Sequence, residues 1–145
     1  MVIGIFGESC TGKSTLAQRI AASLPCEIYT GKDWLRLAKN ENIAKTLFQK
    51  KLNNAVTNEN IIYVISEKEH LPLLPEGALR VLVTADLELI KSRFAQRMHG
   101  NLPAPVAAML EKKHGCFDAV PHDIHVISGV TDLDAAAEQI INQLS

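Results

Sequence analysis

The sequence predicts an α/β fold in which a parallel sheet is covered by helices on both faces. Two observations carry this reading. Val2–Phe6, Ile61–Ile65 and residues 79–83 are short, almost wholly apolar runs, the make-up of strands buried on both sides rather than the alternation of a half-exposed sheet. Between them stand stretches with apolar residues at helical spacing, and strands alternating with helices build parallel sheets through right-handed crossovers.

Taken in order, the first strand, VIGIF, stops at Gly7, and Leu16, Ala17, Ile20 and Ala21 then recur at helical spacing until Pro25 ends the helix. A brief strand at 27–29 reaches Gly31, after which Asp33 can cap a helix carrying Trp34, Leu35, Leu37 and Ala38. A longer helix over 41–56 has Ile43, Ala44, Leu47, Phe48 and Leu52 on one side and lysines on the other. Asn60 marks the turn into the third strand. LPLLPEG, punctuated by prolines, favours a break before the fourth strand at 79–83. Asp86 caps the helix ADLELIKSRFAQRM, residues 100–105 break it, and 106–114 form another. Ile124–Ile127 is the last strand, followed by Thr131 or Asp132 as cap of a terminal helix through Ile140 and Leu144.

With 145 residues, 47% apolar and 21% charged, and no linker or repeat, one domain over residues 1–145 is expected. A net charge of -1 leaves no strong field for nucleic acid or an anionic membrane. No apolar run approaches the roughly 18 residues of a membrane span, and three irregularly spaced cysteines do not suggest a disulfide framework. The expectation is a cytoplasmic protein, monomer or homodimer, with reduced thiols and neither nucleic acid nor membrane as partner.

The densest chemical signal is GESCTGKST, residues 7–15, between the first strand and its helix. Gly7, Gly12, Lys13 and Ser14 satisfy G-x-x-x-x-G-K-[ST], the phosphate-binding loop. Gly7 permits a sharp exit from the strand. Gly12 lets backbone N–H groups approach phosphate oxygens, and the helix start adds unpaired amides and the positive end of a dipole. Lys13 supplies a point charge to the β and γ phosphates, while the Ser14 hydroxyl can ligate Mg²⁺. The cofactors expected are therefore ATP and Mg²⁺, with Glu8, Ser9, Cys10, Thr11 and Thr15 completing the cradle.

This segment resembles the Walker A loop of the P-loop kinase group, which includes adenylate, cytidylate, shikimate and gluconate kinases, and the order of elements is similar to that group over nearly the whole chain. The resemblance implies a three-layer sandwich with a five-stranded parallel sheet of order 2-3-1-4-5, acceptor-side helices at about 31–57 and a short lid at about 97–106. It implies transfer of the γ-phosphoryl of ATP to a small acceptor, a nucleoside monophosphate or a hydroxyl metabolite. EIYTGKDWLRLAKN resembles the acceptor-facing T-G-D-x-x-R segment, with Asp33 and Arg36 at the matching positions. Arg36 would clamp an anionic acceptor and Asp33 would take a proton from a hydroxyl; a helix cap and a solvated arginine is the other reading. ADLELIKSRFAQRMHGNLP resembles the lid region, and the resemblance puts Arg93 against the nucleotide base and Arg97 on the transferring phosphoryl. Ser128, Gly129 and Val130 correspond to the loop against the base, which they would contact through backbone groups. The third strand ends in ISEKEH without the usual aspartate, and Glu67, with Ser66 beside it, is the nearest substitute toward Mg²⁺. His114, Cys116, His122 and His125 match no familiar metal-ligand spacing. The rival reading is an ATP-binding switch module that hydrolyses slowly and has no small acceptor.

Overall fold

Five parallel strands form one sheet in the order β2-β3-β1-β4-β5 in the computed structural model, which describes residues 1–143. The chain runs β1 (Val2–Phe6), α1 (Lys13–Ser23), β2 (Glu27–Thr30), α2 (Glu41–Asn58), β3 (Ile61–Ile65), β4 (Leu79–Thr84), α3 (Leu87–Arg97), α4 (Ala104–Lys113), β5 (Ile124–Ile127) and α5 (Leu133–Asn142), with 3₁₀ turns at Asp33–Leu37 and Lys68–Leu73. The expected strand order is the observed one. Leu144, expected in the terminal helix, lies outside the described residues.

Both faces of the central strands are buried, and the two-residue period of a strand deals their side chains to separate cores. Val2, Phe6, Ile61, Tyr63, Ile65 and Leu82 meet Phe48 and Leu52 of α2 on one face. Ile3, Ile5, Ile62, Val64, Val81 and Val83 meet Leu16 and Ile20 of α1 and Ile140 of α5 on the other. A third cluster joins Cys10 of the glycine loop to Ile90 of α3 and Leu110 of α4, with Phe94, Leu102 and Val106 against it. That last cluster seats α3 and α4 beside the loop, at the carboxyl edge of the sheet.

Asn40, Asp86 and Asp132 cap α2, α3 and α5 through their side chains. Thr131, the alternative cap for α5, instead accepts a hydrogen bond from the Ile127 amide. Four sequence expectations need correction. The helix expected from Asp33 is only a 3₁₀ turn ending at Leu37, because Ala38 turns extended to let Asn40 cap α2. Asp33 is no cap: its carboxylate reaches back to accept the Thr30 amide at 2.9 Å. Ile43 and Leu47, expected on the apolar side of α2, are 55% and 42% exposed, since only the narrower row Ala44, Phe48, Leu52 and Ala55 touches the sheet. Finally, α4 starts at Ala104 and takes Pro105 into its first turn, where a missing N–H breaks no helical bond. Residues 98–103 link α3 to α4 without regular structure.

Candidate functional site

The glycine loop leaves β1 under close constraint. A Cβ on Gly7 would lie 2.1 Å from the Val83 carbonyl oxygen, so only glycine lets the chain pass β4 here, and the Gly7 amide donates to Ile65 O. Gly12 stands before α1 with φ 99, a left-handed conformation that glycine adopts without strain. No side chain caps α1. Its first amides therefore have no partner within the helix and face outward as donors, with the positive end of the helix dipole behind them.

Lys13, the first residue of α1, is 5% exposed. Its ammonium donates to the carbonyl of Glu8, within the loop, and lies 3.5 Å from Thr11 Oγ1, whose hydroxyl also donates to that carbonyl. Burial pulls its pKa from 10.5 to about 8, and Arg97 adds repulsion against the pull of Cys10 and Glu8. Two cations, Lys13 and Arg97, thus face one spot.

A cavity of about 220 Å³ opens at this spot, lined by Ser9, Cys10, Gly12, Lys13, Ser14 and Thr15 of the loop and α1, Thr30 from β2, Val64 and Ser66 from β3, and Arg97 from α3. A neighbouring cavity of about 270 Å³ shares Cys10, Gly12, Thr15 and Arg97 and adds Arg93, Ser128 and Leu133. The Arg93 guanidinium joins the two sides, donating to Cys10 O and to Ser128 Oγ, both at 2.9 Å. Gly129, left-handed at φ 85, and Val130, 79% exposed, form the turn beyond Ser128.

Of the residues singled out in the sequence, the structure brings Ser9, Cys10, Gly12, Lys13, Ser14, Thr15, Arg93 and Arg97 together around these two cavities. Thr11 is buried beneath the loop. Glu8 faces away: its carboxylate accepts the Gly115 amide at 3.1 Å and meets His114 Nδ1 at 3.1 Å, tying the loop to the turn after α4. Asp33 and Arg36 line neither cavity. Both are exposed, and the Arg36 guanidinium lies over the Tyr29 ring, 4.4 Å from its centre. The turn carrying Asp33 is held from below by the Tyr63 hydroxyl, which donates to Gly31 O at 2.7 Å and whose pKa burial pushes up to about 12. Glu67 is exposed and borders a small apolar cleft beside Met109 and Phe117. Ser66, one residue earlier, shares the larger polar cavity with Ser14.

Sequence reasoning missed Thr30, took Ser66 only as the neighbour of Glu67, and expected Ser128 to offer its backbone rather than its side chain. Each is the end of a strand or the first residue past one, where an α/β sheet presents its side chains to ligands, and that position is the signal that marks them. Among the described residues no group of three or more His, Cys, Asp or Glu could hold a metal, and the His122 and His125 rings meet edge to face with centres 5.6 Å apart. Among those residues, too, no helix is long and apolar enough to cross a membrane.

No family model matches the chain, and no curated protein matches it by sequence. Solved structures do match it in fold. An uncharacterised protein from Eubacterium ventriosum superposes with a TM-score of 0.70 at 19% identity, over 99% of this chain and 98% of that one. A sugar kinase from Janibacter gives 0.66 at 17% identity over 99% and 93%. Shikimate kinase from Acinetobacter baumannii, solved with shikimate, gives 0.66 at 14% over 99% and 92%. Across its described length the chain thus has the fold of the P-loop small-molecule kinases.

Proposed function

We propose that the protein is a P-loop phosphotransferase that moves the γ-phosphoryl group of ATP to a small acceptor. The observation that carries this reading is the convergence of the buried Lys13 ammonium, the uncapped start of α1 and Arg97 on one cavity. A triphosphate is the ligand that offsets two facing cations and accepts from free amides at once. Lys13 and the amides of α1 would hold the β and γ phosphates, and Arg97 would stand where charge develops on the transferring group. Arg93, bridging Cys10 and Ser128, would set one wall of the base site, with Gly129 and Val130 next to it. The hydroxyls of Ser14 and Ser66 line a single cavity and fit a hydrated Mg²⁺. When bound, the ion would neutralise phosphate charge. The remaining space, between Thr30 and Ser66 on one side and Arg97 on the other, is where the acceptor would present its nucleophile, with Asp33 and Arg36 reaching it only if the turn after β2 moves.

That last condition favours a second reading. Asp33 is engaged by the Thr30 amide and Arg36 rests on Tyr29, so a nucleotide-binding switch that hydrolyses ATP slowly, with no small acceptor, accounts for the same loop. Calorimetry with ATP at millimolar magnesium tests the part common to both. A coupled ADP-release assay over polyols, hydroxy acids and nucleoside monophosphates separates them: acceptor-stimulated ADP release supports transfer, and a flat panel from a protein that binds ATP overturns it.

A further inference from the structure

Glu8 turns its carboxylate away from the phosphate cavity, and that side chain is only 9% exposed. Both of its oxygens are engaged from the turn after α4: Oε1 lies 3.1 Å from His114 Nδ1, and Oε2 accepts the Gly115 amide at 3.1 Å. Hydrogen bonds to a carboxylate are the stronger class. Gly115 is left-handed at φ 82, and a Cβ there would lie 3.2 Å from Asp118 Oδ2, so glycine is what lets this turn aim its N–H at the loop.

The backbone of the same residue serves the other side of the loop. Its carbonyl accepts from the Lys13 ammonium and, at 2.9 Å, from the hydroxyl of the buried Thr11. Two residues on, Cys10 is left-handed at φ 64, a strained conformation for a residue with a side chain, and one that persists only where the surroundings over-determine it. They do so here: Arg93 donates to Cys10 O at 2.9 Å, and the Cys10 side chain packs with Ile90 and Leu110. Glu8 thus anchors one flank of a strained loop and Arg93 the other. A loop fixed before its ligand arrives loses less freedom on binding.

We propose that Glu8 is a positioning residue for Lys13, and that through it the turn after α4 tunes the protein's affinity for a polyphosphate. The proposal rests on the nucleotide reading of the loop. His114 and Gly115 line neither cavity around Lys13, so they act on the ligand only by way of Glu8. Phosphate oxygens that draw the ammonium off the Glu8 carbonyl change the hold on that residue, and the turn on its carboxylate registers the change. Such coupling is reciprocal: whatever moves the turn alters the affinity at Lys13 by the same factor.

In the test, ATP is titrated at millimolar magnesium into the isotope-labelled protein while NMR follows the amides of Gly12 and Gly115. Both are expected to shift with one half-saturation concentration. Glu8→Ala raises that concentration at Gly12 by about tenfold, the order of one charge-assisted hydrogen bond, and silences Gly115. Glu8→Gln, which keeps an acceptor for the Gly115 amide, falls between parent and alanine variant. His114→Ala, a change at an exposed side chain, raises the concentration by a smaller factor. The double variant is no weaker than Glu8→Ala alone, because the histidine has no other route to the loop, whereas a loop merely loosened by Glu8→Ala gives additive losses. If Glu8→Ala lacks native signal dispersion, the Gly115 response and the loss in His114→Ala decide alone. A Gly115 amide that stays still while Gly12 titrates, additive losses, or a half-saturation that no variant changes overturns the proposal and leaves the nucleotide reading standing. A Gly12 amide that never moves overturns both.

Discussion

Replacing Lys13 by methionine is expected to stabilise the nucleotide-free protein at neutral pH while abolishing its hold on a polyphosphate. The lysine is 5% exposed, and burial holds its pKa at about 8 against 10.5 in the unfolded chain. At about 1.4 kcal/mol per pH unit, that difference disfavours the charged form on folding by roughly 3 kcal/mol. The substitution also removes the hydrogen bond to Glu8 O, worth about 1 kcal/mol net, but that carbonyl keeps the Thr11 hydroxyl at 2.9 Å. The variant should therefore gain about 2 kcal/mol at neutral pH. The sign has a pH signature. With the folded-state pKa below the unfolded one, the penalty is complete below about pH 8 and fades as pH climbs toward 10.5, so the parent protein gains on the variant over that window. Urea unfolding of both proteins, at neutral pH and near about pH 10, reads the difference directly, and calorimetry with ATP reads the loss of binding. A methionine variant less stable than its parent at neutral pH, or a stability gap that does not narrow with alkalinity, would refute the claim that Lys13 is held charged at a cost that a polyphosphate offsets.

Gly7→Ala puts a methyl group 2.1 Å from the Val83 carbonyl oxygen, and because backbone cannot yield as a side chain does, a loss of about 3 kcal/mol or more is expected, seen as a lowered melting temperature or insoluble protein. Gly12→Ala meets nothing closer than 3.7 Å but forces alanine to φ 99; it should cost about 1–2 kcal/mol of stability and, in calorimetry, a larger share of ATP affinity. Arg93→Ala removes the bridge between Cys10 O and Ser128 Oγ, with an expected loss of about 2 kcal/mol in chemical unfolding and a smaller loss for Ser128→Ala. For magnesium, Ser66→Ala should weaken the Mg²⁺ dependence of ATP binding more than Glu67→Gln does, because only Ser66 shares the cavity of Ser14; the opposite order would restore Glu67 as the metal's carboxylate.

The geometry of the glycine loop was legible because it is local: two glycines, a lysine and a serine within eight residues, between a strand and a helix, define where amides and charge must point. The acceptor side was not, because spacing placed Asp33 and Arg36 on one face but could not tell that a backbone amide of Thr30 and the ring of Tyr29 would engage them. Glu8 shows the same limit. It belongs to the loop by sequence, yet its carboxylate serves Gly115 and His114, more than a hundred residues away.

By itself, then, the order of apolar runs and helical stretches determined the parallel sheet and the position of the loop at its carboxyl edge, because strand burial and helix capping are written within a few neighbouring residues. Tertiary structure alone decided that Ser66 rather than Glu67 lines the cavity of Ser14, that α3 delivers Arg93 and Arg97 to the loop, and that the His70 ring is buried without a hydrogen-bond partner. Those outcomes depend on which segments the sheet brings side by side, and the spacing of residues along the chain carries no record of the distances across it.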